Sequence, residues 1–249
     1  MADFTINTYN KLLDSLSERE YTFQTFSEFL EAPARRAIML RHDVDDRKEN
    51  SLQFARIQQE RGIRGSYYFR MVPQSYDEKV ITEIAAMGHE IGYHYETLDT
   101  SKGNIDKAYR EFCLNLEKLR NITTIRTICM HGSPRSSFDN KTIWEKYSYT
   151  HLGLIGEPYF DINFLDVAYL TDTGRMWNGS HVSFRDKVVG RYNFNFRKTR
   201  DILNNIDQLP NRVMFTFHPQ RWTNNPVDWM MELTMQNAKN LVKRFLLSG

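Results

Sequence analysis

The sequence has no long hydrophobic run, few cysteines and no cluster of basic residues. No apolar stretch approaches the roughly 20 residues that a membrane-spanning helix needs, so no transmembrane segment is expected. Cys113 and Cys129 are the only cysteines, which excludes a cysteine-based metal site, and we expect both to be buried thiols of a reducing compartment. The net charge is only +2 and no basic run exceeds two residues, so no nucleic-acid partner is predicted.

Nucleotide-binding signatures and an export signal are also missing. Neither GxGxxG nor GxxxxGK[ST] occurs, which argues against nucleotide binding by those two kinds of loop. The N-terminus has no basic segment followed by an apolar one, and its first predicted helix carries Leu12, Leu13 and Leu16 on one side. We therefore expect a cytoplasmic protein in which residues 1–35 form a helical extension packed on the main fold.

What the sequence does contain is a regular alternation of strand and helix patterns. The chain has 249 residues, of which 41% are hydrophobic and 26% charged, which suits one domain over residues 1–249. Strands are predicted at residues 36–41, 66–69, 89–94, 125–130, 152–155, 168–171 and 213–217, and helices at residues 50–60, 77–87, 105–119, 141–147, 200–208 and 230–247. This order indicates a parallel sheet of βαβ units. We favour a distorted, incomplete (β/α) barrel over an open doubly wound sheet.

Histidines and carboxylates follow several of the predicted strands. Parallel α/β folds bind ligands at the carboxyl ends of their strands, so these side chains should meet at one rim. Four of the seven histidines hold such positions, together with nearby acids: His42, His94, His131 and His218, with Asp43, Asp45 and Glu96. A lone histidine at a strand end is usually structural, but recurrence at successive strand ends favours a site for zinc or another divalent metal.

The other histidines receive different interpretations. His89 begins the third predicted strand and is expected to be structural. His151 and His181 have no supporting neighbours and are expected to be surface or core residues.

Three motifs, RHDVD at residues 41–45, GSYYF at residues 65–69 and GHEIGYHYETL at residues 88–98, together resemble a known family. They are similar to segments of the polysaccharide deacetylase (NodB-homology) superfamily, carbohydrate esterase family 4. The segment MFTFHPQRW at residues 214–222 is similar to the late family strand that ends in a histidine. The resemblance extends over residues 36–222. It implies a distorted (β/α) barrel and a metal-dependent hydrolase that acts on N-acetyl groups of sugars.

The resemblance also implies roles for single residues. Asp43 matches the family's general base, His94 matches the first histidine ligand of the metal, and His218 matches the late histidine that serves as general acid. On this basis Asp43 would take a proton from water and His218 would protonate the departing amine.

Two positions depart from the family pattern. Val44 separates the two aspartates, so Asp45 is assigned as a metal ligand by its proximity to the motif. Leu98 stands where the family has the second histidine of HxxxH, and a leucine cannot bind a metal. We predict that His131, at the end of the next strand, replaces it, with Glu96 as an alternative ligand or a substrate contact.

Loops near the strand ends carry side chains that suit a sugar ring. These candidate substrate contacts are Ser133, Arg135, Asp172, Arg175, Trp177, Arg221 and Trp222. For the two tryptophans the alternative is that they fill the barrel mouth, because large aromatic rings bury area wherever they lie.

Together these patterns predict a zinc-dependent enzyme that removes an N-acyl group from a sugar or glycan precursor. Without an export signal, we expect a nucleotide- or lipid-linked sugar of surface-polysaccharide synthesis, such as lipopolysaccharide synthesis. A catalytically silent barrel that binds glycan is one alternative, because the HxxxH motif is incomplete. A metal hydrolase of another N-acyl or ester bond is the other.

Overall fold

The structure, a computed structural model, describes residues 2–133, 136–177 and 188–247. At its centre lies a seven-stranded parallel sheet. The strands in chain order are β1 (Thr22–Gln24), β2 (Ala37–Val44), β3 (Ser66–Phe69), β4 (Glu90–Tyr95), β5 (Ile128–Met130), β6 (Ala168–Thr171) and β7 (Arg212–Phe217).

Helices connect and surround the strands. In chain order they are α1 (Ile6–Ser17), α2 (Phe26–Glu31), α3 (Lys48–Gln59), α4 (Glu78–Ala86), α5 (Thr97–Thr100), α6 (Ile105–Arg120), α7 (Ile143–Lys146), α8 (Pro158–Asp161), α9 (Thr199–Asn204) and α10 (Pro226–Leu247). Short 3-10 turns lie at Asn140–Thr142, Tyr149–Leu152, Thr173–Arg175, Ile206–Gln208 and Pro219–Arg221. Within the described part of the chain, no helix combines the length and the apolar character needed to cross a bilayer.

The strand order places β2 at the middle of the sheet. It runs β5-β4-β3-β2-β7-β6, and β1 lies beside the first half of β2. Over the described residues the outer strands β5 and β6 do not pair with each other, so the barrel is left open. The prediction of an incomplete (β/α) barrel is therefore confirmed.

Most predicted elements occur, with shifted ends. Strand β2 runs to Val44, beyond the predicted end at residue 41. The strand predicted at residues 152–155 is wrong, since this stretch begins with the end of a 3-10 turn and is followed only by an isolated β-bridge at Gly156. Residues 1–35 contribute β1 to the sheet as well as two helices, because the three residues of β1 pair with Ala37–Met39. Neither cysteine forms a disulfide within the described residues, and the expectation of two buried thiols holds for Cys129 alone, since Cys113 is only partly buried.

Side chains of β2 alternate between two environments. Arg41 and Asp43 share one face and pair with each other, and Asp45, just beyond the strand, follows them at the same spacing of two. Leu40 and Val44 point the other way, into the larger hydrophobic core. The residue that separates the two aspartates therefore keeps both carboxylates on the same side of the sheet.

His42 lies on the core side and joins a buried hydrogen-bond network. Its Nδ1 is 3.1 Å from the carbonyl oxygen of Ser66, and its Nε2 accepts from the Gln58 amide at 2.9 Å. Gln58 also donates to the Tyr9 hydroxyl at 2.6 Å and accepts from the Tyr67 hydroxyl at 3.0 Å. His42 therefore ties α1 and α3 to the sheet and does not join the other strand-end histidines.

Acid is expected to destabilise the protein through His42. Burial lowers the pKa of this ring from 6.5 to about 3, so the unfolded chain binds the proton long before the folded chain does. The stability that this difference confers is present above pH 6.5 and is lost as the pH falls towards 3, with a limiting slope of about 1.4 kcal/mol per pH unit.

Urea unfolding of the wild type and of His42→Asn between pH 7.5 and pH 5.5 measures this slope. We expect a shallower pH dependence for His42→Asn, whereas His151→Asn, at an exposed histidine, should keep the wild-type slope. Equal slopes for wild type and His42→Asn would show that His42 is not the source.

Candidate metal centre

The carboxyl ends of four strands bring one aspartate and three histidines together. Asp45 follows β2, His94 lies in β4, His131 follows β5 and His218 follows β7. The Asp45 Oδ1 atom is 3.5 Å from Nε2 of His94 and 3.6 Å from Nε2 of His131. Asp45 Oδ2 is 3.8 Å from Nε2 of His218. These distances are longer than the donor–acceptor distance of a good hydrogen bond. They are close to the spacing of about 3.3–3.6 Å between atoms that bind one tetrahedral ion at about 2.0–2.2 Å.

All three imidazole rings are oriented by their second nitrogen. The Nδ1 atoms lie 2.9 Å from the Cys129 carbonyl oxygen for His94, 2.7 Å from the Glu96 carboxylate for His131 and 2.5 Å from the Asp172 carboxylate for His218. An Nδ1 hydrogen donated to such an acceptor fixes the ring and its tautomer, which leaves the Nε2 lone pair directed at the centre. This arrangement is typical of histidines that bind metals.

The Asp45 carboxylate is the clearest sign that a cation fits here. Its Oδ1 atom is buried and has no hydrogen-bond partner among the described residues. The Nε2 atoms of His94 and His131 lie 3.5 and 3.6 Å from it, and Gln220 donates to the other oxygen, at 3.4 Å. Asp45, His94 and His131 can present ligand atoms that all lie within 4.8 Å of one another. Nitrogen and carboxylate oxygen are donors that Zn²⁺ accepts, so the donor set fits a divalent metal.

The charges of the cluster also favour a cation at its centre. Burial disfavours the charged form of both His94 and Asp45. Nevertheless, the Asp43 and Asp45 carboxylates raise the pKa of His94, and the three histidines hold the pKa of Asp45 well below its usual value. The cluster therefore stabilises positive charge at its centre, supplied either by a proton or by a metal ion.

Asp43 borders the cluster but is held by a different partner. Arg41 donates from Nε to Oδ1 at 2.8 Å and from Nη2 to Oδ2 at 2.6 Å, and both side chains are buried. Asp43 Oδ2 lies 3.8 Å from His94 Nε2. Asp43, His94 and Cys129 form a second group whose possible ligand atoms lie within 4.8 Å of one another. In this group, however, the Asp43 carboxylate is already paired with the Arg41 guanidinium.

Asp172 positions His218. It is fully buried, and besides the His218 Nδ1 contact it accepts from the His218 main-chain N–H at 3.0 Å, from Trp222 Nε1 at 2.7 Å and from Arg221 Nη1 at 2.9 Å. Burial opposes its charged form, but His218 and Arg221 lower the pKa of Asp172. Since both carboxylate oxygens are engaged by the protein, Asp172 orients a histidine where the sequence predicted a substrate contact.

Comparison with known proteins finds likeness only among solved structures. No protein-family model matches the chain, and no curated protein matches it. A family 4 carbohydrate esterase from Bacillus anthracis is 11% identical, with 91% of this chain and 84% of that chain covered and a TM-score of 0.45. A family 4 carbohydrate esterase from Streptomyces lividans, in complex with acetate, is 12% identical, with 82% and 88% covered and a TM-score of 0.45. A CE4 family pseudoenzyme from Bacillus anthracis is 12% identical, with 85% and 62% covered and a TM-score of 0.43. All three come from the family that the sequence motifs resemble.

The predicted aromatic and cationic substrate contacts are mostly buried. Trp222 is 0% exposed and Trp177 is 3% exposed, so neither ring offers a surface on which a sugar could stack. The Arg175 guanidinium lies 4.9 Å from the ring centroid of Phe4 and 5.1 Å from that of Trp229. Both tryptophans belong to the larger hydrophobic core, where Trp222 packs on Phe4 and Phe217 and Trp177 packs on Phe215 and Phe217.

The remaining sequence predictions fall in varied places. Ser133 lies half-buried in the loop after His131, whereas Arg135 and His181 lie outside the described residues. His89 is structural as predicted, since its Nδ1 accepts from the Gly65 N–H at 3.1 Å and its Nε2 is 3.0 Å from the Ala55 carbonyl oxygen.

Glu96 stands behind His131 and does not face Asp45 directly. Its Oε2 contacts His131 Nδ1, and both of its oxygens accept hydrogen bonds from Arg70. Burial opposes its ionisation, but His131 and Arg70 lower the pKa of Glu96 to about 2. Of the two ligands left open by the sequence, His131 presents its nitrogen to the cluster. Arg70 also directly follows a strand, but no motif in the sequence identified it as part of the site.

We expect the chelator-treated protein to bind one equivalent of Zn²⁺. Removing a ligand by Asp45→Asn, His94→Ala or His131→Ala should weaken binding by more than about 100-fold, because loss of a residue behind the ligands alone costs roughly 10- to 100-fold. Isothermal titration calorimetry measures both the stoichiometry and the affinity.

His151→Ala is the matched control, since this histidine is exposed and lies outside the cluster. It should bind Zn²⁺ like the wild type. A metal affinity that falls equally in His151→Ala and His94→Ala would contradict the assignment.

Proposed function

We propose that the protein is a metal-dependent hydrolase that removes an N-acyl group, of the acetyl type, from a sugar or glycan precursor. The observation that carries this proposal is the buried and unpartnered Asp45 Oδ1, which faces the Nε2 atoms of His94 and His131. A carboxylate oxygen in this position favours a bound cation, and a cation beside a second carboxylate and a positioned imidazole suits hydrolysis.

Asp45, His94 and His131 would hold the metal ion. Zinc is the first candidate, because three protein ligands of this kind leave the fourth position of a tetrahedral site open for water or substrate. When bound, the ion supplies polarisation of the acyl carbonyl and a lowered pKa for water, about 7 in zinc enzymes.

Asp43 is the proposed proton acceptor. Its Oδ2 lies 3.8 Å from His94 Nε2, so it borders the same space as the metal ligands. The Arg41 guanidinium fixes the carboxylate in place and balances its charge. In the reaction, a water oxygen bonds to the acyl carbon and the water's proton passes to Asp43.

His218 is the proposed proton donor. Its Nε2 is 3.8 Å from Asp45 Oδ2, and the Asp172 carboxylate at Nδ1 orients the ring. As the carbon–nitrogen bond breaks, the departing amine nitrogen takes the Nε2 proton. The proton taken up by Asp43 then returns to His218 Nε2 by way of solvent, so both groups are restored and one water is consumed for each acyl group removed.

The sugar part of this proposal rests on the motifs at residues 41–45, 65–69 and 88–98 and on their resemblance to sugar deacetylases. A place in surface-polysaccharide synthesis in the cytoplasm is a narrower proposal that rests on the sequence alone. Ser133, two residues after His131, is partly exposed and offers a polar contact to a hydroxylated substrate.

Replacing either proton-transfer group should slow the reaction and spare the metal site. We expect Asp43→Asn and His218→Ala each to lower kcat by roughly 100- to 10,000-fold, the usual contribution of general acid–base catalysis, with unchanged Zn²⁺ affinity. Acid release from N-acetylated monosaccharides, chitin oligomers and nucleotide-linked sugars, with an aryl acetate ester in parallel, provides the measurement.

His151→Ala again serves as the control and should retain wild-type turnover. Hydrolysis of the ester but of no amide would assign the site to another bond. A zinc-loaded wild type that hydrolyses neither, yet binds glycan, would replace the proposal with a silent glycan-binding barrel.

A further inference from the structure

Arg70 connects two strand ends at the candidate metal centre. It is the first residue after β3, which lies between β2 and β4 in the sheet. Its Nη1 donates to the Asp45 carbonyl oxygen at 3.1 Å. Its Nε and Nη2 donate to Glu96 Oε1 at 3.1 and 2.8 Å, and Nη2 also lies 2.9 Å from Oε2.

We propose that Arg70 is a positioning residue that keeps Glu96 behind His131, so that His131 and not Glu96 completes the metal site. This inference rests on the proposed metal centre and concerns how the chain builds it without the second histidine of HxxxH.

The first support is that both oxygens of the Glu96 carboxylate already accept hydrogen bonds from the protein. The planar guanidinium binds it through two nitrogens, a geometry that a lysine cannot reproduce. The second carboxylate oxygen accepts from His131 Nδ1 at 2.7 Å. With both oxygens engaged, Glu96 is held as the partner of a ligand and is not free to turn towards the ion.

The second support is the orientation of His131. A histidine whose Nδ1 hydrogen is donated to a fixed carboxylate presents Nε2 in a defined direction. Here that direction leads to Asp45 Oδ1, 3.6 Å away. Since Glu96 is itself fixed by Arg70, the arginine acts on the metal site through two successive side chains.

The third support is the anchoring of the segment that carries Asp45. Besides the Arg70 contact to the Asp45 carbonyl oxygen, the Ser75 hydroxyl donates to the Val44 carbonyl oxygen and accepts from the Arg70 main-chain N–H at 2.9 Å. Residues that follow β3 thus hold the peptide groups on both sides of Asp45. The Asp45 carboxylate leaves the strand from a fixed backbone.

Charge excludes a simpler role for Arg70 as an attractor of substrate anions. Its side chain is 20% exposed and that of Glu96 is 14% exposed, and the pair is bidentate. A lone cation beside a metal site would repel the ion, whereas a cation neutralised by Glu96 does not. The pairing therefore accounts for an arginine at this position.

The test is a competition titration of Zn²⁺ against a chromophoric chelator, with Arg70→Gln, Arg70→Lys, Glu96→Gln and the Arg70→Gln/Glu96→Gln double variant. We expect Arg70→Gln to weaken Zn²⁺ binding by roughly 10- to 100-fold, the usual effect of residues behind metal ligands. Arg70→Lys should weaken binding nearly as much. On the Glu96→Gln background the Arg70 substitution should cost less than it does in the wild type, because only the contact with the Asp45 carbonyl oxygen remains to be lost.

Arg56→Gln is the matched control. Arg56 also pairs with a glutamate, Glu83, at 3.0 Å, but both side chains are more than half exposed and outside the cluster. This variant should bind Zn²⁺ like the wild type. The visible spectrum of bound Co²⁺ should change in Arg70→Gln and not in Arg56→Gln, because it reports ligand geometry. If Arg70→Gln does not fold, Arg70→Lys and Glu96→Gln carry the same comparison.

Several results would overturn the inference while leaving the metal centre intact. These are wild-type or tighter Zn²⁺ binding by Arg70→Gln, full rescue by Arg70→Lys, and additive losses in the double variant. A wild-type protein that binds no Zn²⁺ would instead overturn the proposed function, and the inference with it.

Discussion

A carboxylate oxygen of Asp45, buried and without a hydrogen-bond partner among the described residues, is the constraint on which the site depends. An unsatisfied buried polar atom costs about 1–3 kcal/mol, and more when it is charged. The histidines around it do not remove that cost as neutral rings, because each donates its Nδ1 hydrogen elsewhere and presents a lone pair. A divalent cation satisfies the oxygen and the imidazole nitrogens together, which explains why these groups were brought to one rim.

The parallel sheet makes this convergence possible, and much of it could be predicted from the sequence. Apolar runs separated by helical periodicity identified β2, β3, β4 and β7, and the alternation of elements identified the open barrel. Strand β1 could not be found, because a segment of three residues has no periodicity to read. The false strand at residues 152–155 shows the converse problem, since a short apolar run also fits a buried turn.

The part of the candidate site that depends on strand topology could be predicted from the sequence. Because the carboxyl ends of parallel strands share a rim, Asp45, His94 and His131 were predicted to lie together, and in the structure their ligand atoms are close to one another. The rest depends on side-chain direction. His42 faces the core because it is one residue from Asp43 in an alternating strand, a rule that the sequence analysis could have applied. The partnership of Arg70 with Glu96 crosses between strands, and no linear spacing reveals it.

Crystals of the protein soaked in one equivalent of Zn²⁺ and measured across the zinc absorption edge test the central claim most directly. The account predicts one strong anomalous peak, about 2.0–2.2 Å from an Asp45 carboxylate oxygen and from Nε2 of His94 and of His131. A peak bound by Glu96 in place of His131 would contradict the ligand assignment. An ordered Asp45 with no anomalous peak beside it would contradict the metal centre itself.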